Sequence, residues 1–210
     1  MSNFIKNANW RYATKKFDTT KKVSKEDLEI LKEAIRLSAS SFGLQLYKVI
    51  IVDNPEIRAK LLAASWGQTQ IVDASHIFIF ANQTKFSDAD VDAYLNNATT
   101  TRNLPEGTLS GYGDYMKGAL NGMPEEIRPN WTAKQTYIAL SNLLNAAAEL
   151  NIDVTPMEGF VPEQYNEILG LDKLNLNAAV VAAVGYRHEE DATQHYVKVR
   201  KSNEELFINL

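Results

Sequence analysis

A chain of 210 residues that is 45% hydrophobic and 23% charged has the length for one sizeable core and the composition of a folded globular protein, read here as a single domain. Its formal net charge of -4 provides no global field toward nucleic acid or an anionic membrane, so neither is expected as a partner. The absence of cysteine excludes disulfides, thiolate metal sites, iron–sulfur ligation and cysteine nucleophiles, which leaves any redox chemistry to a bound cofactor.

The N-terminal MSNFIKNANWRY lacks the apolar core of a secretory signal, and the longest apolar run, 178–186, is too short to span a bilayer. A cytoplasmic protein is expected. Residues 9–18, NWRYATKKFD, gather Arg11, Lys15 and Lys16. Residues 24–37 open with Ser24 as N-cap and Asp27 three positions on, and Leu28, Leu31 and Ile35 fall at helical spacing. SASSFG breaks that pattern, and YKVIIV at 47–52 has the β-branched density of a buried strand. Asn54-Pro55 starts another helix, and HIFIFA at 76–81 is the second strand.

Residues 86–122 are polar and broken by glycine, with weaker helical patterning, as in a variable insertion or lid. Residues 130–151 are apolar around most of a helical circumference and predict a central helix buried on several sides. A short strand into TPMEGF, a helix around PEQYNEILG and a strand NAAVVAAVGYR follow, and the chain ends in HYVKVRKSNEELFINL. The alternation of helices and strands predicts an α/β or α+β protein with few strands.

No dinucleotide-binding glycine fingerprint, P-loop or zinc-protease helix occurs, and His76, His188 and His195 are scattered, so no metal site is expected. The basic residues say more. Lys198 and Arg200 in YVKVRK share a face if that segment is extended, and with Arg11 they either converge on one phosphate or form two solvated patches. SASSFGLQ, 38–45, has the composition of a loop that approaches a flat polar ligand or of a plain helix stop. TPMEGF, 155–160, puts an acid and a glycine directly after a strand, as in an outward-facing amide site or a tight turn.

Taken together and in order, RYATKKFD, SASSFGLQLYKVIIV, WGQTQIVDASH, WTAKQTYIAL with AAAELNIDVTPMEGF, and VKVRKS resemble the nitroreductase family, above all its oxygen-insensitive NAD(P)H nitroreductase and dihydropteridine reductase branch. The resemblance runs from about residue 9 to about residue 203. It implies an α+β fold with a central mixed sheet of about four to five strands surrounded by helices, an intertwined homodimer, and one FMN per subunit at the dimer interface. The implied activity is two-electron, ping-pong hydride transfer from NADH or NADPH to nitroaromatics, quinones or similar acceptors. A specialised flavin reductase or dehalogenase-type branch, or a flavin-binding protein without turnover, is the alternative.

Residue by residue, the resemblance gives Arg11, Lys198 and Arg200 to the flavin phosphate and Lys15 to the pyrimidine edge and the nucleotide. Ser40 and Ser41 match the loop lent by the partner subunit, Gln135 a polar residue of the central helix, and Glu158 and Gly159 the amides facing N5. Pro156 and Met157 complete that turn. Tyr12 and Ala13 stand where many relatives carry His-Ser or Arg-Ser, and Gly43 where an asparagine is common. Gly67 or Gln68 lies at a flavin-contacting asparagine position, and Gln70 where some relatives have a second nucleotide-facing lysine. No side chain is assigned as catalytic, since the flavin carries the chemistry while Lys15 and Glu158 assist. Phe42, Tyr112 and Tyr115 are expected to wall the acceptor pocket, with Tyr94 and Met116 as further lid candidates.

Overall fold

The strand-forming runs pair into one sheet in the computed structural model, which describes residues 1–210. Strands β1 (Tyr47–Val52), β2 (His76–Gln83), β3 (Asp153–Met157) and β4 (Leu176–Gly185) stand in the order β1-β2-β4-β3. Every neighbouring pair is antiparallel. The α+β class and the four strands agree with the expectation; the mixed sheet does not, because no pair is parallel. That expectation came from the resemblance; within this chain β2 and β4 are covered on both faces, as strands of a parallel sheet would be, yet burial of both faces does not set strand direction.

The helices are α1 (Asn3–Trp10), α2 (Lys25–Arg36), α3 (Pro55–Ala63), α4 (Gln70–Asp73), α5 (Asp88–Thr101), α6 (Ser110–Asn121), α7 (Arg128–Glu149), α8 (Pro162–Leu169) and α9 (Asn203–Leu206). Their ends follow local chemistry. Ser24 Oγ accepts from Asp27 N at 3.0 Å, and Asn54 Oδ1 accepts from Glu56 N at 2.9 Å, with Pro55 opening α3. α1 was not anticipated: its eight residues are short for a periodicity reading and bury no side chain fully, although Phe4, Ile5 and Ala8 share a face.

Side chains alternate between two cores, one on each face of the sheet. Ile77, Ile79 and Ala81 of β2 join Leu61 of α3, Ile71 of α4 and Tyr165 of α8. Phe78 and Phe80 join Leu31 and Ile35 of α2 with Ala139 and Leu143 of α7. Phe80 pairs with Val180 but Ala81 with Ala178, so Ala179 is a bulged residue, and Ala178 comes to the same core as Val181.

Helix α7, 22 residues and so about 33 Å long, is the central helix the sequence predicts. It buries Gln135, Ala139 and Leu143, but Tyr137 and Ile138 on its outer side are 40% and 45% exposed. The 86–122 segment is helical, as α5 and α6, and has a small core of its own in Val91, Met116 and Leu120. Met116 is thus an interior residue of this hairpin and no part of a lid surface. Tyr112, one helical turn back, and Tyr115, the preceding residue, are the exposed ones.

Candidate functional site

The arm that follows α1 is anchored along its length. Thr155 Oγ1 of β3 donates to Thr14 O at 2.6 Å, His188 N to Lys16 O at 2.9 Å, and Asp18 N to Tyr186 O at 2.8 Å. Arg187 lies under the arm, its guanidinium 4.2 Å from the Trp10 ring centroid and 4.6 Å from that of Tyr12, while it grips buried Asp153. Asp191 closes the arrangement by accepting from Tyr12 Oη at 3.0 Å, Lys15 N at 2.7 Å and Lys16 N at 3.1 Å. Burial alone would raise the Asp191 carboxyl, but donors from Thr193, Lys16, Lys15 and Tyr12 outweigh it and hold its pKa at about 2.

This arm and the C-terminal tail bring three cations together. Lys198 Nζ donates to the Arg11 carbonyl oxygen. Burial, and then the charge of Arg200, lowers the pKa of Arg11; burial, then Arg11 and Arg200, lowers that of Lys198. None of the three forms an ion pair with a carboxylate. Arg11 Nε, moreover, is buried without any hydrogen-bond acceptor. A buried guanidinium N–H facing like charges is costly unless an anion fills the gap, and a phosphate monoester suits a fork flanked by two further cations. The residues therefore fit the phosphate end of FMN. Residues 197–202 belong to no strand, so Lys198 and Arg200 converge on Arg11 without the ladder an extended segment would have supplied.

On the same arm, Lys15 is exposed and its ammonium pairs with no acid, whereas Lys16 pairs with Glu190 at the surface. The Tyr12 hydroxyl is engaged by Asp191, and Ala13 beside it adds no polar group.

The turn after β3 forms the second piece. The backbone N–H groups of Glu158 and Gly159 find no acceptor within the chain. Gln68 Nε2 donates to Gly159 O at 2.6 Å and to Ser65 O at 3.1 Å. A Cβ on Gly159 would lie 2.7 Å from Gln68 Nε2 and 3.2 Å from the Trp66 ring, so a side chain here would displace the Gln68 amide from its contact with Gly159 O. Glu158 accepts from Tyr137 Oη at 2.7 Å, and burial, then Glu158, pushes the phenol up to about 12. Pro156, Met157 and Glu158 line a groove of about 430 Å³ together with Tyr137 of α7. Gln70 is buried at the start of α4.

The loop before β1 forms the third piece. Gln135 Oε1 of α7 accepts from Ser41 N at 3.0 Å, and Ser40 Oγ accepts from Gln45 N at 3.0 Å. Gly43 has φ +77°, and the Tyr94 ring lies 3.0 Å from where its Cβ would be. Phe42 meets Tyr115 edge-on at 6.2 Å, and Tyr115 stacks on Tyr112 at 6.5 Å. The three proposed pocket residues thus form one aromatic cluster, joined to the loop through Phe42.

The arm and the β3 turn are neighbours through Thr14 and Thr155. No hydrogen bond or ion pair links the Ser40–Ser41 loop to the arm; α7 reaches the loop through Gln135 and the β3 turn through Tyr137. Sequence reasoning missed Asp153, Arg187, Asp191 and Tyr137. Of these only Asp191 had a local sign, as an Asp two residues ahead of a Thr whose N–H it accepts.

The model of the family described as Nitroreductase family matches residues 8–186. The Major NAD(P)H-flavin oxidoreductase of Aliivibrio fischeri is 34% identical over 207 residues, with 95% of each chain covered. YfkO of Bacillus subtilis (strain 168), which bears the name of an NAD(P)H nitroreductase, is 37% identical over 190 residues, covering 85% of this chain and 86% of its own. A protein of Exiguobacterium sibiricum 255-15 solved in complex with FMN superposes with a TM-score of 0.84 at 20% identity, covering 100% of this chain and 98% of that chain.

Proposed function

The chain belongs to the nitroreductase family, and from that premise we propose that it is an FMN-dependent NAD(P)H oxidoreductase that reduces nitroaromatics, quinones or similar acceptors. The observation that carries this reading is the group Arg11, Lys198 and Arg200, which meets no carboxylate and leaves Arg11 Nε buried and unbonded.

FMN, when bound, supplies two-electron transfer between a nicotinamide nucleotide and an electron-poor acceptor. The protein's part is binding and electrostatics. Arg11, Lys198 and Arg200 hold the phosphate. Lys15, fixed at its backbone N–H by Asp191 and unpaired at its ammonium, is free to offer positive charge to the cofactor's ring. The free N–H groups of Glu158 and Gly159 are donors to the ring edge, held in place by the Gln68 contact. Phe42, Tyr112 and Tyr115 give the acceptor an apolar wall. Nucleotide and acceptor share one place, so the kinetics are ping-pong.

The working unit in this reading is a homodimer. Two features support it: the Ser40–Ser41 loop makes no hydrogen bond or ion pair with Arg11, Lys198 or Arg200 of its own chain, and large apolar side chains stand open on α7 and on the tail, where Phe207 is 60% and Ile208 87% exposed. A second copy covers those faces and lends its loop. No helix is long and apolar enough to cross a membrane, and a cytoplasmic location completes the proposal.

The test is the absorption spectrum of the purified protein, followed by anaerobic NADH or NADPH. A yellow protein that bleaches and is reoxidised by menadione or nitrofurazone is expected. A colourless protein that gains no chromophore with added FMN overturns the reading.

A further inference from the structure

Arg11 and Lys15 lie about 190 positions before Lys198 and Arg200, so the cations converge only while two remote segments keep their relative place. Besides Lys198, whose Nζ donates to the Arg11 carbonyl oxygen, one further side chain spans them. Asp191 Oδ2 accepts from Tyr12 Oη, Lys15 N and Lys16 N, all on the arm. Its other oxygen, Oδ1, accepts from Thr193 N at 3.0 Å and Thr193 Oγ1 at 2.5 Å, capping the 3-10 turn Ala192–His195 from which the tail departs. The two oxygens thus face two different segments. Asp191 is 3% exposed and lies beyond residue 186, where the family model ends.

Its chemistry also separates it from an ordinary acid beside cations. A carboxylate within reach of Arg11, Lys198 or Arg200 would neutralise them and compete with a phosphate. Asp191 instead spends its lone pairs on three backbone amides and two hydroxyls, and pairs with no lysine or arginine side chain. It orders the cations without discharging them.

From this geometry we infer that Asp191 is the positioning residue of the phosphate clamp: it sets the arm against the tail and so controls affinity for the phosphate end of the cofactor. The inference rests on the proposed FMN site. An Asn here keeps one accepting oxygen and turns an NH₂ toward either the arm's donors or those of Thr193, so one of the two connections is lost.

The experiment measures dissociation constants of FMN and riboflavin with flavin-free protein, because only FMN carries the phosphate. In Asp191→Asn the ratio of riboflavin to FMN dissociation constants falls roughly tenfold, riboflavin losing only the smaller part that Lys15 contributes at the ring. Tyr12→Phe, which removes one of five donors and leaves the carboxylate, lowers the ratio roughly twofold. Equal weakening of both flavins, or no change in either, overturns the inference, since a general loss of structure does not distinguish the phosphate. If Asp191→Asn does not fold, Tyr12→Phe and Thr193→Val are read by the same ratio, and no change in both overturns it. A wild-type protein without preference for FMN overturns the site reading itself; a wild-type preference that Asp191→Asn retains overturns the inference alone.

Discussion

Asp153 accepts from Arg187 through both carboxylate oxygens: guanidinium Nη2 reaches Oδ1 at 2.7 Å, Nε reaches both oxygens, and the Arg187 backbone N–H reaches Oδ2 at 2.8 Å. The first residue of β3 is thereby locked to the chain just past β4, and the same guanidinium carries the rings of Trp10 and Tyr12 on the arm. Replacing Arg187 by Leu leaves the buried Asp153 carboxylate without its counter-ion, with only the residue-187 N–H and the Thr14 hydroxyl as donors, which costs about 3 kcal/mol. Urea unfolding of the flavin-free protein measures it. A loss under about 1 kcal/mol would show that the pair is not a structural anchor.

Arg200 sits at the exposed edge of the clamp, so its loss separates binding from folding. Arg200→Ala weakens FMN by tenfold or more, about 1.5 to 3 kcal/mol for a charge-assisted contact. The flavin-free variant unfolds no more easily than wild type, because its charge opposes those of Arg11 and Lys198. Flavin titration and thermal unfolding report the two effects. Full flavin occupancy in this variant removes Arg200 from the phosphate.

Gly43→Ala meets two obstacles, a backbone φ of +77° and the Tyr94 ring at 3.0 Å. The conformation alone costs about 1 kcal/mol for a residue with a Cβ. The ring adds to it. Combining the change with Tyr94→Ala relieves the steric part, so a double-mutant cycle should give a coupling of about 1 kcal/mol. Additive effects would mean that α5 does not fix this loop.

Asp191 ties stability to pH. Its folded pKa of about 2 lies below the ordinary value of 3.8, so the folded state favours the ionised form. Its contribution is complete above about pH 4 and is lost as pH falls toward and through about 2. Acid unfolding of the wild type should therefore steepen below pH 4, and Asp191→Asn should flatten that limb. An unchanged acid limb in the variant argues that the carboxylate is not held by its donors.

The sequence stated its local structure openly and its long-range connections hardly at all. Ser24, Asn54-Pro55 and the β-branched run 47–52 marked elements because capping and strand propensity act within a few residues. The cations of the clamp were visible as residues, and their convergence rested on resemblance, since nothing local ties position 11 to position 200. Asp153, Arg187 and Asp191 escaped notice because each acts across a distance in sequence that no periodicity records. Met116 was misread for the converse reason: an apolar residue among exposed tyrosines looks like part of a surface until the packing of α5 on α6 turns it inward.

The separate core of the α5–α6 hairpin has a consequence for the evolution of the protein. Val91, Met116 and Leu120 hold the hairpin from within, while Tyr112 and Tyr115 face outward, so selection can rewrite the outward residues without touching either sheet core. The hairpin is an interchangeable tip on a handle whose packing does not depend on it. Libraries restricted to its outer face should yield folded proteins at high frequency and spread over different acceptors, whereas the same mutational load on β2 would mostly yield none.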